Sequence, residues 1–434
     1  MKTLMIAAVL FCTLSFASTP VPAKKQDHPI VLVGGTIHTV TGAVIDNGMI
    51  LFDKGKIIAV GASVQIPANA EKIDVTGKQI YPGLINTASN LGLVEIDAVR
   101  STNDISETGK INSNVHTDVA VNPESELIPT TRANGITVAN VIPGGSLIAG
   151  RSATMMLDGW TTEEMTLKSP VALYVNWPDL RINRSPFARQ TEEEQRKQIE
   201  NNLKEIRNAF DDARAYLKAK KADSDKHQSD LRWEAFAPLF DRKIPLMVGA
   251  SEVSQIQSAV QFAKDQNVSL IIHGGRDSWK VTDLLKENNV SVVVEPIHDL
   301  PGKRSDEYDN PFTVPAKLFN AGILFAISGG GNSTMSERNM GYQAATASAY
   351  GLPKDEALRS ITINAAKILG IDSMVGSLDV GKDATIIVTT GDPLEIMSNV
   401  EMEFIQGKKI DLRSRHTELW KKYQEKYRQL GIIK

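Results

Sequence analysis

The chain has 434 residues, with 48 Lys and Arg against 51 Asp and Glu, which gives a formal net charge of −3. Apolar residues make up 42 % and charged residues 23 %, an ordinary globular composition. This balance excludes a nucleic-acid binder held by bulk positive charge and a disordered acidic protein, and the length is enough for roughly two or three domains.

The first residues have the three-part pattern of a secretory signal peptide. Lys2 precedes an apolar run over residues 4–14, and Ser15 and Ala17 supply the small residues of a cleavage site. We therefore predict that residues 1–17 are removed on export and that the mature protein is periplasmic or secreted. Cleavage also removes Cys12, the only cysteine, so no disulfide and no thiolate ligand is expected. No later segment is long and apolar enough to span a bilayer.

Two separate parts of the chain, residues 18–80 and 371–412, consist of short strand-like runs separated by turns. Ile30–Val33 and Lys56–Val60 are rich in β-branched residues, as is Ala384–Thr389 near the other end. Because both ends have the same character, we predict that they form one small composite β-sandwich.

Residues 81–370 alternate short apolar runs with helical stretches. A capping box at Thr191 and Glu194 opens the longest predicted helix, over residues 191–220. Apolar runs of this length are typical of parallel strands that are buried on both faces. The alternation predicts a (β/α)₈ barrel, although only seven strand runs are evident. The predicted strands are Leu84–Asn86, Ile136–Ile142, Ala172–Asn176, Ile244–Gly249, Ser269–Ile272, Ser291–Glu295 and Ile323–Ser328.

The last segment, residues 413–434, is predicted to be an amphipathic helix. Trp420, Tyr423, Tyr427 and Leu430 fall on one face, and several Lys and Arg residues surround them. Docking of this face on the protein's own domain or on another subunit is the default interpretation. Contact with a membrane surface is the alternative.

Two flanking signatures resemble those of the amidohydrolase superfamily. At the N-terminal side they are Asp53–Gly61, Asp74–Lys78 and Pro82–Ile85, which are most similar to imidazolonepropionase-like and dipeptidase-like secreted members. At the C-terminal side they are Gly376–Ala384 and Asp392–Leu394. The resemblance covers nearly the whole mature chain and implies a (β/α)₈ barrel with a composite β-sandwich. It also implies hydrolysis of carbon–nitrogen bonds other than ordinary peptide bonds, in small amides or dipeptide-like substrates.

The same resemblance implies one or two divalent cations, zinc-like in their ligand preference, at the mouth of the barrel. Such a cation lowers the pKa of bound water and polarises the carbonyl group, and it needs about three protein ligands. The family's first-strand motif, Pro-Gly-Leu-Ile-Asp-x-His-x-His, departs here at every ligand position. Asn86 replaces the acid, and Ala88 and Asn90 replace the two histidines.

The remaining ligand positions depart in the same direction. Gly249 aligns with the family's fifth-strand His, and Gly330 aligns with its eighth-strand Asp. His273 alone is retained, as a residual ligand, and the ligand of the fourth strand cannot be located. None of the seven histidines lies within four residues of another. We therefore expect the usual metal site to be largely lost and the cation to be absent or weakly bound.

A different site is predicted from residues that follow neighbouring strands. His273, Glu295 and His298 are the candidate catalytic residues, as a rebuilt mononuclear metal site or as an acid–base pair. The alternative is an ordinary polar lining. Two glycine clusters at the same mouth predict a carboxylate-binding site, with plain turn geometry as the alternative. The residues of these clusters are Gly144, Gly145, Gly330, Gly331 and Asn332.

Two functions fit these features. The first is an exported hydrolase of small molecules, and the second is a non-catalytic subunit that binds a ligand or a partner protein. The sequence predicts neither a nucleic-acid partner nor a transmembrane span, and it leaves open whether the protein forms homo-oligomers.

Overall fold

The computed structural model describes residues 20–223, 226–330 and 334–433. The predicted signal peptide, residues 1–17, lies outside the described residues. The strands are β1 Ile30–His38, β2 Val44–Asp53, β3 Lys56–Gly61, β4 Glu71–Asp74, β5 Gln79–Pro82, β6 Leu84–Ser89, β7 Ile136–Val141, β8 Ile148–Arg151, β9 Ala153–Met156, β10 Thr166–Lys168, β11 Leu173–Asn176, β12 Leu246–Ala250, β13 Leu270–Gly274, β14 Ser291–Val294, β15 Phe325–Ile327, β16 Ile386–Thr389, β17 Val400–Ile405 and β18 Lys408–Lys409.

The helices fill most of the intervals between these strands. They are α1 Leu127–Arg132, α2 Thr162–Met165, α3 Glu192–Ala222, α4 Leu231–Glu234, α5 Ala237–Phe240, α6 Val253–Asp265, α7 Thr282–Glu287, α8 Asn310–Asn320, α9 Met340–Ala349, α10 Lys354–Ser360, α11 Ile363–Leu369 and α12 Arg415–Gln429.

One sheet of eight strands combines the two ends of the chain. Its order is β18-β17-β16-β5-β1-β2-β3, and β4 pairs with β1. The N- and C-terminal parts meet where β5 and β16 run antiparallel, with Ile80 opposite Val388. The ends of the chain therefore share one sheet, whereas the division of that sheet into a two-layer sandwich remains a prediction.

The central part of the chain is a mixed α/β fold, and each of the seven strand runs predicted there contains a strand. Strands β11 to β15 form a parallel series in chain order, and β6 pairs in parallel with β7. All six residues of β7 are buried, as expected for a strand covered on both faces. Within the described residues no ladder of paired strands joins β15 to β6, so a closed (β/α)₈ barrel remains a prediction.

The strand that the sequence did not reveal lies between β7 and β11. The segments β8 and β9 follow each other closely, and each runs antiparallel to its neighbour, β9 to β7 and β8 to β11. Strand β9 belongs to the four-stranded sheet and β8 to the six-stranded sheet, so the two strands connect these sheets. A (β/α)₈ barrel would have a parallel strand, joined by helices, at this position.

Helix α3 confirms the capping box predicted at its start. The Thr191 side chain accepts a hydrogen bond from the backbone N–H of Glu194, and the Glu194 carboxylate accepts one from the backbone N–H of Thr191. Its buried residues, Ile206, Ala209, Phe210 and Ala213, follow helical spacing and join the main core. In the part of the chain that the structure describes, no helix is long and apolar enough to cross a membrane.

A buried charge cluster links the central fold to the composite sheet. Arg132 of α1 donates to Asp158 at 2.8 Å, and both side chains are almost fully buried. Lys408 of β18 contacts the second oxygen of Asp158 at 3.1 Å. Removal of one partner from such a cluster leaves buried charge without compensation, which is strongly destabilising.

We predict that Asp158→Ala lowers the free energy of unfolding by about 3 kcal/mol or more. Urea denaturation followed by circular dichroism measures this change. The matched control is Lys78→Ala, which breaks the exposed Lys78–Glu401 pair and should change stability by about 1 kcal/mol or less. Equal effects of the two substitutions would show that the buried cluster does not stabilise the junction.

Candidate functional site

A cavity of about 160 Å³ lies where the carboxyl ends of the parallel strands converge. Residues at the ends of β6, β11 and β13, and in the segments that follow β7, β14 and β15, line it. They are Ala88, Ser89, Asn90, Ile105, Ile142, Pro143, Gly144, Tyr174, Asn176, His273, Glu295, Gly330, Thr334 and Glu337. This is the edge at which parallel α/β folds place their active sites.

The structure brings two of the three predicted catalytic residues together in this cavity. His273 Nε2 lies 3.2 Å from Glu295 Oε2, and both side chains are largely buried. The other ring nitrogen, Nδ1, lies 2.8 Å from the hydroxyl group of Tyr174. The hydroxyl group of Tyr174 can donate to Nδ1, whereas the 3.2 Å approach of Nε2 to Glu295 Oε2 is a close contact without the alignment of a hydrogen bond.

Tyr174 was not predicted as a site residue, although it is the one ring in an aliphatic strand run. It comes from β11 and is buried. Burial raises the pKa of its hydroxyl group, and the nearby negative charge of Glu295 raises it further. Tyr174 is therefore a neutral hydrogen-bonding partner that fixes the orientation of the His273 ring.

Neighbouring side chains occupy the space at the two glycines that align with metal ligands. A Cβ atom on Gly249 would lie 2.9 Å from the hydroxyl oxygen of Tyr174. A Cβ atom on Gly330 would lie 2.8 Å from Glu295 Oε2 and 3.0 Å from the carbonyl oxygen of Ala88. Tyr174 and Glu295 thus fill the volume into which the family's His and Asp would project.

The residues present do not reproduce the family's ligand set. Within the described residues, no group of three or more His, Cys, Asp or Glu is arranged to hold a metal ion. At the first strand, Ala88 has no donor atom, and the Asn90 amide donates to the carbonyl oxygen of Ile142. His273 and Glu295 provide two donors, fewer than the three that a catalytic zinc site uses.

Glu337, which sequence reasoning also missed, lies in the same cavity and is almost fully buried. Its Oε2 accepts hydrogen bonds from Asn86 at 2.8 Å and from Ser89 at 2.7 Å. Its Oε1 accepts one from the backbone N–H of Asn90 at 3.2 Å. Burial raises the pKa of Glu337 to about 8, and the charge of Glu295 raises it as well, against the lowering effect of these donors. A signal for this residue was its position a few residues after the glycine cluster that follows the seventh predicted strand run, Ile323–Ser328.

Asn86, at the position of the family's acid, connects two strands through its amide. Its NH₂ group donates to Glu337, and its oxygen lies 2.8 Å from Ser328 Oγ and accepts from the backbone N–H of Gly329 at 3.1 Å. An ionised carboxylate at residue 86 could not donate to Glu337. These contacts bridge the edges of β6 and β15, where strand pairing is lacking among the described residues.

His298 does not join the other two predicted catalytic residues. It is exposed after β14, and its Nε2 atom lies 2.8 Å from Thr346 Oγ1 on α9. The backbone N–H of the preceding Ile297 donates to the Gln343 side chain at 3.0 Å, and His298 is not part of the cavity lining. The expectation that three residues converge is therefore wrong for His298.

The predicted glycine sites are only partly in place. Gly144 and Gly330 line the cavity, but their N–H groups already donate to the carbonyl oxygen of Ile105 at 2.7 Å and to Ser328 Oγ at 3.3 Å. Gly145 lies next to Ser106 and is not part of the lining. The amides of Gly144 and Gly330 are thus engaged within the protein, which argues against their use as a carboxylate site. The remaining two predicted residues, Gly331 and Asn332, lie outside the described residues.

We predict that Glu337 makes the protein less stable as the pH rises. Its raised pKa means that the folded protein keeps a proton that the unfolded chain releases above its ordinary value of 4.5. The free energy of unfolding should therefore fall between about pH 5 and pH 8, by at most about 1.4 kcal/mol per pH unit. Glu337→Gln should flatten this decline in urea denaturation at pH 5, 6.5 and 8.

The matched control is Glu287→Gln, which changes an exposed glutamate at the end of α7 and should keep the pH dependence of the unmodified protein. If Glu337→Gln also keeps that dependence, Glu337 is ionised in the folded state and the assignment is wrong.

Comparison with known proteins identifies relatives of this chain. The model of the amidohydrolase family matches residues 311–410. Amidohydrolase tasK of Hapsidospora irregularis is 19 % identical over 387 residues, which are 83 % of this chain and 39 % of that protein. Imidazolonepropionase of Flavobacterium psychrophilum is 29 % identical over 193 residues, which are 38 % of this chain and 46 % of that protein. The matches thus span less than half the length of these curated relatives.

Solved structures support the same relationship. An amidohydrolase from Thermotoga maritima superimposes with a TM-score of 0.78 at 26 % identity, over 88 % of this chain and 100 % of that chain. A putative prolidase from Bifidobacterium longum superimposes with a TM-score of 0.55 at 18 % identity, over 93 % of this chain and 100 % of the other, which shows similarity of fold alone. Together these similarities confirm the resemblance to the amidohydrolase superfamily that the two flanking signatures predict.

Proposed function

We propose that this chain is an exported hydrolase of the amidohydrolase superfamily that cleaves carbon–nitrogen bonds other than ordinary peptide bonds in small amides. In this proposal the usual metal centre is largely lost, and an acid–base pair of Glu295 and His273 performs its role. The observation that carries the proposal is the 3.2 Å approach of these two side chains inside a cavity at the carboxyl ends of the strands. Pairs of titratable groups in such a cavity are typical of catalytic sites.

The pair can supply the proton transfers that amide hydrolysis requires. Glu295 takes a proton from water as the water oxygen bonds to the carbonyl carbon, and it gives the proton to the departing nitrogen as the carbon–nitrogen bond breaks. The products are a carboxylic acid and an amine. His273 lies 3.2 Å from the carboxylate of Glu295, and Tyr174 orients the His273 ring through the 2.8 Å hydrogen bond to Nδ1.

The lining of the cavity bears on the class of substrate. Ile105, Ile142 and Tyr174 provide apolar and aromatic walls. Such walls fit the apolar part of a small amide or of a dipeptide-like molecule.

Export is part of the proposal and is supported by the sequence of residues 1–17. Expression in a Gram-negative host, fractionation and N-terminal sequencing test it. We expect the mature protein in the periplasm with Ser18 as its first residue. Cytoplasmic protein that retains Met1 would contradict export without affecting the catalytic proposal.

We predict that Glu295→Gln lowers kcat/KM for a small amide at least 100-fold, because it removes the general base while it keeps the shape of the side chain. A panel of linear and cyclic amides, with product acid and amine measured by mass spectrometry, identifies the substrate. His273→Asn should lower kcat more than it raises KM, because His273 orients Glu295. Glu287→Gln is the matched control and should leave both parameters unchanged.

Full activity of Glu295→Gln would contradict the proposed function. The second candidate is a subunit that binds a small ligand without turnover, and the occupied volumes at Gly249 and Gly330 favour it. For that candidate, calorimetry should show an amide bound by the unmodified protein while no product accumulates.

A further inference from the structure

Helix α12 carries an apolar face that nothing in the described part of the chain covers. None of its fifteen residues is buried. Trp420 is 61 % exposed, and the face continues through exposed Tyr423, Tyr427 and Leu430. The expectation that this face docks on the protein's own domain is therefore wrong. The helix is held at its start instead, where Arg338 contacts the His416 ring and Ser414 caps the first turn.

The end of the helix extends the same apolar face. Gly431 has a φ of +67°, and the N–H of Ile432 donates to the carbonyl oxygen of Tyr427 at 3.0 Å. The N–H of Gly431 donates to the carbonyl oxygen of Arg428 at 2.9 Å. This pair of bonds is a Schellman motif, which places the residue after the glycine beside the one at the C3 position. Exposed Ile432 is thus brought next to Tyr427 at the edge of the face.

The charges of α12 are arranged around this face in a specific order. At about 100° per residue, the aromatic and aliphatic side chains cover an arc of about 100°. Lys422 and Lys426 flank this arc on one side, and Lys421 and Arg428 lie beyond its other edge. Both acids, Glu418 and Glu425, project from the opposite side of the helix. The helix therefore combines an apolar face and cationic flanks with acids on the side opposite the apolar face.

We propose that α12 is an interfacial helix that binds the surface of an anionic phospholipid bilayer. Tyr and Trp rings have an apolar body and a polar tip, which suits them to the headgroup region, and the flanking lysines would lie near the lipid phosphates. The helix has five Lys and Arg residues but two Glu residues, and contact with anionic lipid would neutralise the excess positive charge. Pairing with the same helix of a second copy would instead bring the cationic flanks together. The proposal is independent of the proposed hydrolase activity.

Co-sedimentation of the mature chain, residues 18–434, with lipid vesicles tests the proposal. We expect binding to vesicles of mixed phosphatidylglycerol and phosphatidylcholine, little binding to pure phosphatidylcholine, and weakening as the salt concentration rises. Trp420→Ala with Tyr427→Ala should lower the partition coefficient about tenfold or more through lost apolar contact. Lys422→Glu with Lys426→Glu should lower it by a similar factor through lost charge.

The matched control is Glu425→Gln on the opposite side of the helix, which should keep or slightly increase binding. All variants begin at Ser18, the expected N-terminus of the mature protein, so the apolar run of residues 4–14 does not contribute to vesicle binding. Absence of binding to anionic vesicles, or equal binding by all variants, would overturn the proposal. It would also be overturned if light scattering showed a dimer that Trp420→Ala with Tyr427→Ala dissociates, because the face would then bind a second copy.

Discussion

The candidate site depends on two side chains that occupy space left open by glycine. The hydroxyl group of Tyr174 fills the volume beside Gly249, and the carboxylate of Glu295 fills the volume beside Gly330. Each of these side chains also contacts His273, one at each ring nitrogen. The three residues therefore form a compact set, and a larger residue at Gly249 or Gly330 would require Tyr174 or Glu295 to shift.

A second set of contacts connects the strands β6 and β15, whose ends adjoin the candidate site. The strands β6 and β15 approach without a ladder between them in the described residues, and Asn86 connects them by donating to Glu337 while Ser328 and Gly329 lie at its oxygen. Buried polar groups are costly unless they have hydrogen-bond partners, so this arrangement is specific. The protonation state of Glu337 is part of it, since an uncharged acid fits a buried position better than a carboxylate. Stability and the shape of the cavity are in this way coupled to one titratable group.

Much of the fold could be predicted from sequence, but less of the site. Apolar runs identified the seven strands because full burial restricts composition, whereas β8 and β9 were missed because they are short, interrupted by polar residues and antiparallel. The positions of His273 and Glu295 at the ends of neighbouring strands correctly predicted that their side chains lie close together, because parallel strands end at one edge of the sheet. His298 lies on a loop whose path depends on tertiary contacts. Tyr174 and Glu337 were missed because their contacts are with residues far away in the sequence. Tyr174 contacts His273 in the space beside Gly249, and Glu337 accepts a hydrogen bond from the Asn86 amide.

The central claim is that Tyr174, His273 and Glu295 replace the metal centre of related hydrolases. The most direct test is elemental analysis of the purified protein after incubation with zinc, manganese or iron and removal of excess ion. The account predicts less than about one tenth of an equivalent of tightly held metal, since two donors do not reach the three ligands of a catalytic zinc site. One equivalent of metal that is lost in His273→Ala would contradict it and would show that a metal centre has been rebuilt around His273.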